Sequence, residues 1–262
     1  MRSSLAVCVV VSVLAAAGAS AAPSPLSPAQ RRIADALVSE FENSTAVPQY
    51  CYVAALGDGR GYTVGRAGFT SATGDLLEVV QGYAAAEPGN ALAPFLPRLR
   101  ALARSESGSV SGLAGLPAAW KSGCHDPRQR AAQDAVVDRE YFDPALRRWR
   151  ALELRTALSL AALYDAEIQH GDGTDPDGVP ALVRRTLARV GSVAHAGERR
   201  WLLGFLAVRR ADLLHPADAA TQAEWAQSVD RVDVWVYLVR TGQWRLRAPV
   251  TVRTADYRLR LR

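Results

Sequence analysis

Two carboxyl groups with opposite surroundings are the strongest candidates for chemistry in this sequence. Glu42 follows apolar residues at the end of a predicted helix, where the helix dipole and desolvation both disfavour a negative charge. Asp58 lies in the glycine-rich turn 57–61, where backbone N–H groups and Arg60 favour its ionised form. Such a contrast separates a general acid from a general base. Hydrolysis of a glycosidic bond requires one of each.

Other catalytic arrangements do not fit the spacing of the residues. The four histidines form no pair at the spacing of zinc ligands, so we predict no metal site. Within residues 108–112 a valine stands where a serine nucleophile would be needed. The glycines 57–61 lack the spacing of a dinucleotide-binding loop. A calcium loop built on the acidic run 172–178 would have Gly173 at its first ligand position and Arg184 at its twelfth. Neither residue has a carboxylate, so a calcium loop does not fit. We therefore predict no cofactor.

The first residues resemble a secretory signal peptide. Arg2 precedes an uncharged apolar run at 5–17, and small residues at 19–21 form a cleavage site. The apolar run is too short for a permanent membrane anchor. We therefore expect residues 1–22 to be removed and residues 23–262 to form one secreted, extracellular catalytic domain that does not bind membranes.

The charge balance is basic, but it does not indicate nucleic-acid binding. The formal net charge is +5, and 26 carboxylates are interspersed with 31 basic residues. The densest basic run consists of Arg258, Arg260 and Arg262, which alternate with Leu259 and Leu261. This alternation predicts a terminal strand with a solvated basic face. We expect no nucleic-acid partner.

The expected mature chain retains two cysteines, Cys51 and Cys124. Two thiols in an exported protein favour a disulfide bond. Two isolated buried thiols are the alternative.

The elements that must position Glu42 and Asp58 are a helix and a small sheet. The sequence from Ser27 has the pattern of a capping box and predicts a helix that ends near Glu42. Strand-forming residues on both sides of the glycine-rich turn predict a small antiparallel sheet over 49–70.

The remainder of the sequence predicts helices. Thr73 is the expected N-cap of the first, and residues 144–170 are expected to form one long central helix between two lobes. The glycine- and serine-rich segment 105–115 is expected to be a surface loop. Further helices are predicted to begin near Asn90, Asp126, Val179, Glu198 and Arg231.

Ordered motifs over residues 30–240 resemble the chitosanases of glycoside hydrolase family 46. They are ENS at 42–44, GDGRGYT at 57–63, GFTSATGD at 68–75, EPGN at 87–90, DREYFDPA at 138–145, YDA at 164–166, HG at 170–171, GFL at 204–206 with Arg209, and RVD at 231–233. The resemblance implies a mainly α (α+β), lysozyme-like, two-lobed fold, with the small sheet lining the cleft. It also implies endo-hydrolysis of β-1,4 linkages between glucosamine units of chitosan, with inversion at the anomeric carbon.

The resemblance also implies roles for individual residues. Glu42 is the implied acid and Asp58 the implied base. The remaining assignments are Thr63 for positioning the attacking water, Arg60 beside the base, Asp75 for binding a glucosamine amine, and Asp165, Arg209 and Arg231 for an ion network that supports the acid. We also expect Tyr52 and Ser44 to contact substrate.

Two regions depart from the family pattern. Residues 215–228 form a longer segment than the family has, and the tail 247–262 does not match.

Two alternative functions are open. A hydrolase of the same fold could act on peptidoglycan or chitin, and a catalytically silent protein could merely bind polysaccharide. Asp75 and the turn 57–63 favour the chitosanase. Because chitosan is cationic, we expect an acidic cleft inside a basic surface. We also expect a monomer.

Overall fold

The computed structural model describes residues 25–262 and is mostly helical, so the predicted signal peptide lies outside the described residues. The helices are α1 Pro28–Asn43, α2 Asp75–Ala86, α3 Leu96–Arg104, α4 Leu116–Gly123, α5 Pro127–Val137, α6 Asp143–Ala151, α7 Ala157–His170, α8 Val179–Val190, α9 Val193–Ala196, α10 Glu198–Leu214, α11 Gln222–Ala226 and α12 Val229–Arg240. The strands are β1 Val53–Ala55, β2 Tyr62–Val64, β3 Phe69–Thr70, β4 Val250–Arg253 and β5 Arg258–Leu261.

Helix α1 begins and ends where the sequence predicts. Ser27 and Gln30 form the expected capping box, in which each side chain accepts a hydrogen bond from the other residue's backbone N–H group (2.8 and 3.3 Å). Ser44 ends the helix in the left-handed conformation, and its N–H group donates to Glu40 O. Glu42 therefore lies in the last turn.

The predicted small sheet is also present. Strands β1, β2 and β3 pair antiparallel in that order, with Ala55 opposite Tyr62 and Thr63 opposite Thr70. The glycine-rich turn 57–61 connects β1 to β2 and places Asp58 at the end of this hairpin.

The prediction of one long helix over 144–170 is wrong. Helix α6 ends at Ala151 and α7 begins at Ala157, and between them Glu153 has a left-handed φ of 58°. The carboxylate of Glu198 accepts hydrogen bonds from the N–H groups of Arg155 and Thr156 (3.2 and 3.0 Å), and Thr156 caps α7. A partner more than 40 residues away stabilises this interruption, so the helical pattern of the local sequence cannot reveal it.

The predicted N-cap of α2 is also one residue away from its observed position. Gly74, with φ 96°, is the N-cap, and Asp75 is the first helical residue. Glycine adopts this conformation without the steric cost that threonine would have. The helix expected near Asn90 begins at Leu96, after a 3₁₀ turn at Ala93–Phe95, and α4 was not predicted.

Helix α7 is central in the fold although it is shorter than expected. Its residues are almost all buried, and it contacts α1, α6, α8 and α12. The three-stranded sheet and α2 to α5 contact one another and form one group, and α8 to α12 form a second group. One hydrophobic core runs through both groups. No helix within residues 25–262 is long and apolar enough to cross a membrane.

The C-terminal residues form a two-stranded hairpin, and its second strand, β5, is the terminal strand that the alternation predicts. Strands β4 and β5 pair antiparallel, and their apolar residues Val250, Val252 and Leu261 are buried. Arg258 and Arg260 are exposed on the other face.

Candidate active site

Glu42 lies between two adjoining cavities. A cavity of about 430 Å³ is lined by Glu42 together with Tyr52, Thr63 and Arg60 from the sheet side. A second cavity of about 220 Å³, on the side of α11 and α12, shares Glu42 and Ile168 with the first. The Glu42 side chain is 41 % exposed, so a polymer that occupied both cavities would pass its carboxyl group.

A buried ion network holds Glu42. Arg231 Nη1 donates to Glu42 Oε1 (2.7 Å), and Arg231 Nη2 donates to Asp165 Oδ1 (2.7 Å). The other oxygen of Asp165 accepts from Arg209 Nη1 (2.6 Å) and from Trp235 Nε1 (2.7 Å). Burial alone would raise the pKa of Asp165, but Arg231 and Arg209 outweigh it and the pKa is lowered.

This network brings the three residues of the predicted ion network together with Glu42. The contact with Arg231 corrects one expectation, because the sequence predicted apolar surroundings for the Glu42 carboxyl group. Arg231 is 189 residues away in the chain, so the local sequence pattern carries no sign of this ion pair.

Asp58 is held by contacts within its own turn. The Arg60 N–H group donates to Asp58 Oδ1 (3.0 Å), and Arg60 Nε and Nη2 donate to Oδ2 (2.9 and 2.7 Å). The backbone and guanidinium hydrogen bonds of Arg60 hold the pKa of Asp58 below its usual range. The side chain is 29 % exposed, so an ionised carboxylate is available to solvent at the edge of the sheet.

Thr63 is placed where a small polar ligand would find a partner. It lies on β2, is 6 % exposed and lines the larger cavity with Glu42. Its Oγ1 atom has no hydrogen-bond partner within the described part of the chain. Buried hydroxyl groups are nearly always hydrogen-bonded, so this one is suited to hold a water molecule or a substrate hydroxyl.

Asp75 has a structural contact that the sequence did not reveal. Its Oδ1 atom accepts hydrogen bonds from Thr70 N (2.8 Å), Thr73 Oγ1 (2.6 Å) and Leu76 N (2.8 Å). The Oδ2 atom makes no hydrogen bond within residues 25–262. Burial raises the pKa of Tyr141, a cavity residue, and the charge of Asp75 adds to this rise, although Asp75 itself does not line the cavity.

The other two predicted substrate contacts have different positions. Tyr52 lines the larger cavity and is 41 % exposed. Ser44 is the C-cap of α1, and its neighbour Asn43 lines the cavity instead. The structure therefore places Tyr52, but not Ser44, on the cavity wall.

Sequence reasoning missed Arg66, which lines the cavity between β2 and β3. Its guanidinium donates to Asp35 (2.7 Å) on α1 and to Asp134 on α5. The hydroxyl group of Tyr164, another cavity residue, donates to the same Asp35 (3.0 Å). These contacts join the sheet to both helices, and no local motif identifies partners so distant in sequence.

The predicted disulfide bond between Cys51 and Cys124 is present and joins the segment before Tyr52 to the end of α4. Both cysteines also belong, with His125, to the one group among the described residues whose atoms could hold a metal ion. Because both sulfur atoms are bonded to each other, the oxidised protein does not offer them as ligands.

The arrangement defines a class of protein. An exposed carboxyl group beside two cavities, together with a second carboxylate held in its ionised form on the adjoining sheet, is an arrangement that suits a glycoside hydrolase, whose reaction requires one acid and one base. The sequence profile of glycosyl hydrolase family 46 matches residues 36–250.

Individual relatives agree with this profile. A chitosanase of Bacillus subtilis (strain 168) is 49 % identical over 230 residues, which cover 87 % of this chain and 83 % of that protein. The family 46 chitosanase of Gynuella sunshinyii in complex with chitotetraose is 48 % identical, with a TM-score of 0.78 over 90 % of this chain and 99 % of that one. The native chitosanase of Bacillus subtilis MY002 is 47 % identical, with a TM-score of 0.79 over 90 % of this chain and 100 % of that one.

The chain belongs to glycosyl hydrolase family 46, as its motifs indicated. The lysozyme-like fold class is confirmed, apart from the interruption between α6 and α7.

Proposed function

We propose that this protein is a secreted chitosanase that cleaves β-1,4 linkages within chains of glucosamine units and inverts the anomeric configuration. The chitosanase names of its relatives and the chitotetraose bound to one of them support this substrate. The observation that carries the proposal is the position of Glu42, whose carboxyl group lies between two cavities and is held from behind by Arg231.

The proposed reaction divides the work between the two carboxyl groups. Glu42 gives a proton to the glycosidic oxygen, and the leaving sugar departs with it. Asp58, which Arg60 keeps ionised, accepts a proton from the water that attacks the anomeric carbon from the opposite face. The unpartnered hydroxyl group of Thr63 orients this water.

The buried charges behind Glu42 fix its position and take no part in bond breaking. Asp165 has ion pairs with both Arg231 and Arg209, and all three side chains are at most 6 % exposed. Side chains locked in this way keep a catalytic group within the narrow geometry that reaction requires.

The local charges are compatible with a cationic polymer in a protein of net charge +5. Each arginine at the larger cavity or behind Glu42 is paired with carboxylates. Arg60 binds Asp58, Arg66 binds Asp35, and Arg231 binds Asp165. The free oxygen of Asp75 is then available to an ammonium group, and we propose this contact as the source of specificity.

Replacement of the two carboxyl groups tests the proposal. Glu42→Gln and Asp58→Asn should each lower kcat on chitosan by about 10²- to 10⁴-fold, because general acid and base catalysis typically contribute that much. The matched control is Glu40→Gln on the same helix, since its side chain makes no hydrogen bond or ion pair within the described residues. A folded Glu42→Gln variant that keeps a tenth of the wild-type rate would remove Glu42 as the acid.

Substrate and stereochemistry need separate measurements. Release of reducing ends should be fastest on chitosan when chitosan, chitin and peptidoglycan are compared side by side, and faster release from peptidoglycan would favour the alternative hydrolase. Proton NMR of the first product should show the α-anomer, because inversion converts the β linkage. An initial β-anomer would contradict the assigned mechanism.

The finer expectations about the mature protein are also proposals. We expect the exported protein to begin at residue 23, which N-terminal sequencing of secreted material would test. We expect a monomer, which light scattering of the purified protein would test.

A further inference from the structure

The loop 105–112 lies directly against the turn that carries Asp58. A Cβ atom added to Gly108 would lie 1.8 Å from the Gly59 carbonyl oxygen, 2.4 Å from its carbon and 3.1 Å from Arg60 N. Gly108 does not have a left-handed φ, so its conformation alone would accept alanine. Glycine is therefore required at this position by the close approach of the two backbones.

The same turn is in close contact with its neighbours at a second glycine, Gly61. A Cβ atom on Gly61 would lie 2.1 Å from Ser71 Oγ and 3.2 Å from the Gly108 carbonyl oxygen. Ser71 Oγ accepts a hydrogen bond from Tyr62 N (3.1 Å). The turn thus contacts Ser71 as well as Gly108, and the two neighbours leave little room beside Gly61.

The loop 105–112 is itself fixed to helix α3. Arg98 Nε donates to the Ser111 carbonyl oxygen (2.7 Å), and Arg98 Nη2 donates to Ser109 Oγ (3.4 Å). The Ser107 N–H group donates to Leu102 O (3.0 Å) at the end of the same helix. The expected surface loop is therefore a braced connection between α3 and the turn that carries Asp58.

We infer that the loop 105–112 is a positioning element for the reaction, in which Gly108 supports the backbone beside Asp58 and Arg98 holds the loop in place. This inference rests on the proposed function, because it assigns the loop a role through the proposed base. The physical reason is that, within residues 25–262, the Asp58 carboxylate accepts hydrogen bonds from no residue other than itself and Arg60, two residues away in the same turn. Any displacement of Gly59 changes the geometry of both residues.

Gly108→Ala is the direct test. The new methyl group must push the Gly59 carbonyl group away, so kcat on chitosan should fall about 10- to 100-fold, the loss that a misplacement of about 1 Å can cause. KM should change less than about threefold, because Gly108 itself does not line the cavity beside Glu42. The acidic limb of kcat/KM should move to higher pH, because the Arg60 hydrogen bonds that lower the pKa of Asp58 are disturbed. The matched control is Gly89→Ala, where an added Cβ atom meets nothing within 4 Å.

A second pair of variants keeps the test decisive if Gly108→Ala does not fold. Arg98→Ala removes both side-chain contacts with the loop and should give a smaller fall in kcat with the same shift of the acidic limb. Arg100→Ala, two residues later on α3, is its control, because Arg100 makes no hydrogen bond or ion pair in the described structure.

Several outcomes would overturn the inference. A folded Gly108→Ala variant with kcat within twofold of wild type would do so, as would a loss expressed in KM alone. If Gly108→Ala is unfolded, an Arg98→Ala variant whose kcat and acidic limb equal those of the wild type would overturn the inference. Asp58→Asn is measured in parallel. An active Asp58→Asn enzyme would refute the proposed function and this inference together, whereas an inactive one beside a normal Gly108→Ala enzyme would refute the loop's role alone.

Discussion

Variants of Asp75 can distinguish a structural role of this residue from a role in substrate recognition, because its two carboxylate oxygen atoms have different surroundings. Oδ1 accepts three hydrogen bonds from residues 70–76, whereas Oδ2 accepts none within the described chain. Asp75→Asn keeps an oxygen that can occupy the Oδ1 position and removes the negative charge. Asp75→Ala removes both.

The structure sets the expected magnitudes. For Asp75→Asn the loss in stability should stay within about 1 kcal/mol, the value of a charge at a helix N-terminus. For Asp75→Ala three hydrogen bonds are lost, which at about 0.5–1.5 kcal/mol each corresponds to about 1.5–4.5 kcal/mol. If Oδ2 contacts a glucosamine ammonium group, a charge-assisted bond of about 1.5–3 kcal/mol is lost in either variant. That energy corresponds to a 10- to 150-fold fall in kcat/KM on chitosan.

Kinetics on chitosan and thermal unfolding of the same variants distinguish the structural role of Asp75 from its role in recognition. Asp143→Asn is the control for removal of a carboxylate as such, because Asp143 does not line the cavity and its side chain makes no hydrogen bond or ion pair within the described residues. The loss for Asp75→Asn should shrink on partly acetylated polymer, where the amine is often masked. Unchanged chitosan kinetics in folded Asp75→Asn would refute the recognition role and leave only the structural one.

Three further outcomes are expected. Asp165→Asn should lower the free energy of unfolding by about 3–5 kcal/mol, because it leaves two buried guanidinium groups without their shared partner, and calorimetry would measure this. Mass spectrometry of unreduced protein should find no free thiol at Cys51 or Cys124, and Cys51→Ser should cost about 4 kcal/mol of stability through the loop of 73 residues that the bond closes. Burial raises the pKa of Asp212 to about 6, so its ionised form costs stability at pH 7. Asp212→Asn should therefore raise the melting temperature at pH 7, and this gain should vanish below about pH 4, where the carboxyl group is protonated in both the folded and the unfolded wild-type protein.

Features with local causes could be predicted from the sequence. The capping box at Ser27 fixes the start of α1, and a residue in the left-handed conformation ends it just after Glu42. The glycines of the turn 57–61 fix the hairpin, and Arg60 lies close enough in sequence to be recognised as the partner of Asp58. In each case the interacting groups are within a few residues of one another, so a sequence pattern can represent them.

Features that depend on distant contacts could not be predicted in this way. The break between α6 and α7 is stabilised by Glu198, and the support of the sheet by Arg66 depends on Asp35 and Asp134. Gly108 contacts the turn 57–61 through its backbone. In the sequence this contact is visible only as one more glycine in a glycine-rich segment, so it cannot be recognised there. The resemblance to the family supplied Asp165, Arg209 and Arg231, which by pattern alone are ordinary helical charges.

The two proposed catalytic groups are therefore positioned over very different ranges of sequence. Asp58 depends on Arg60 two residues away and, through the backbone of their turn, on the loop 105–112. Glu42 depends on Arg231 of α12, which is held in turn by Asp165 of α7. The acid is in place only when the C-terminal group of helices has packed against α1 and α7. The base is positioned by the sheet and its neighbouring loop, whereas the acid requires the complete fold. Activity is therefore a sensitive measure of whether both groups of helices are assembled, even in variants whose sheet and turn are unchanged.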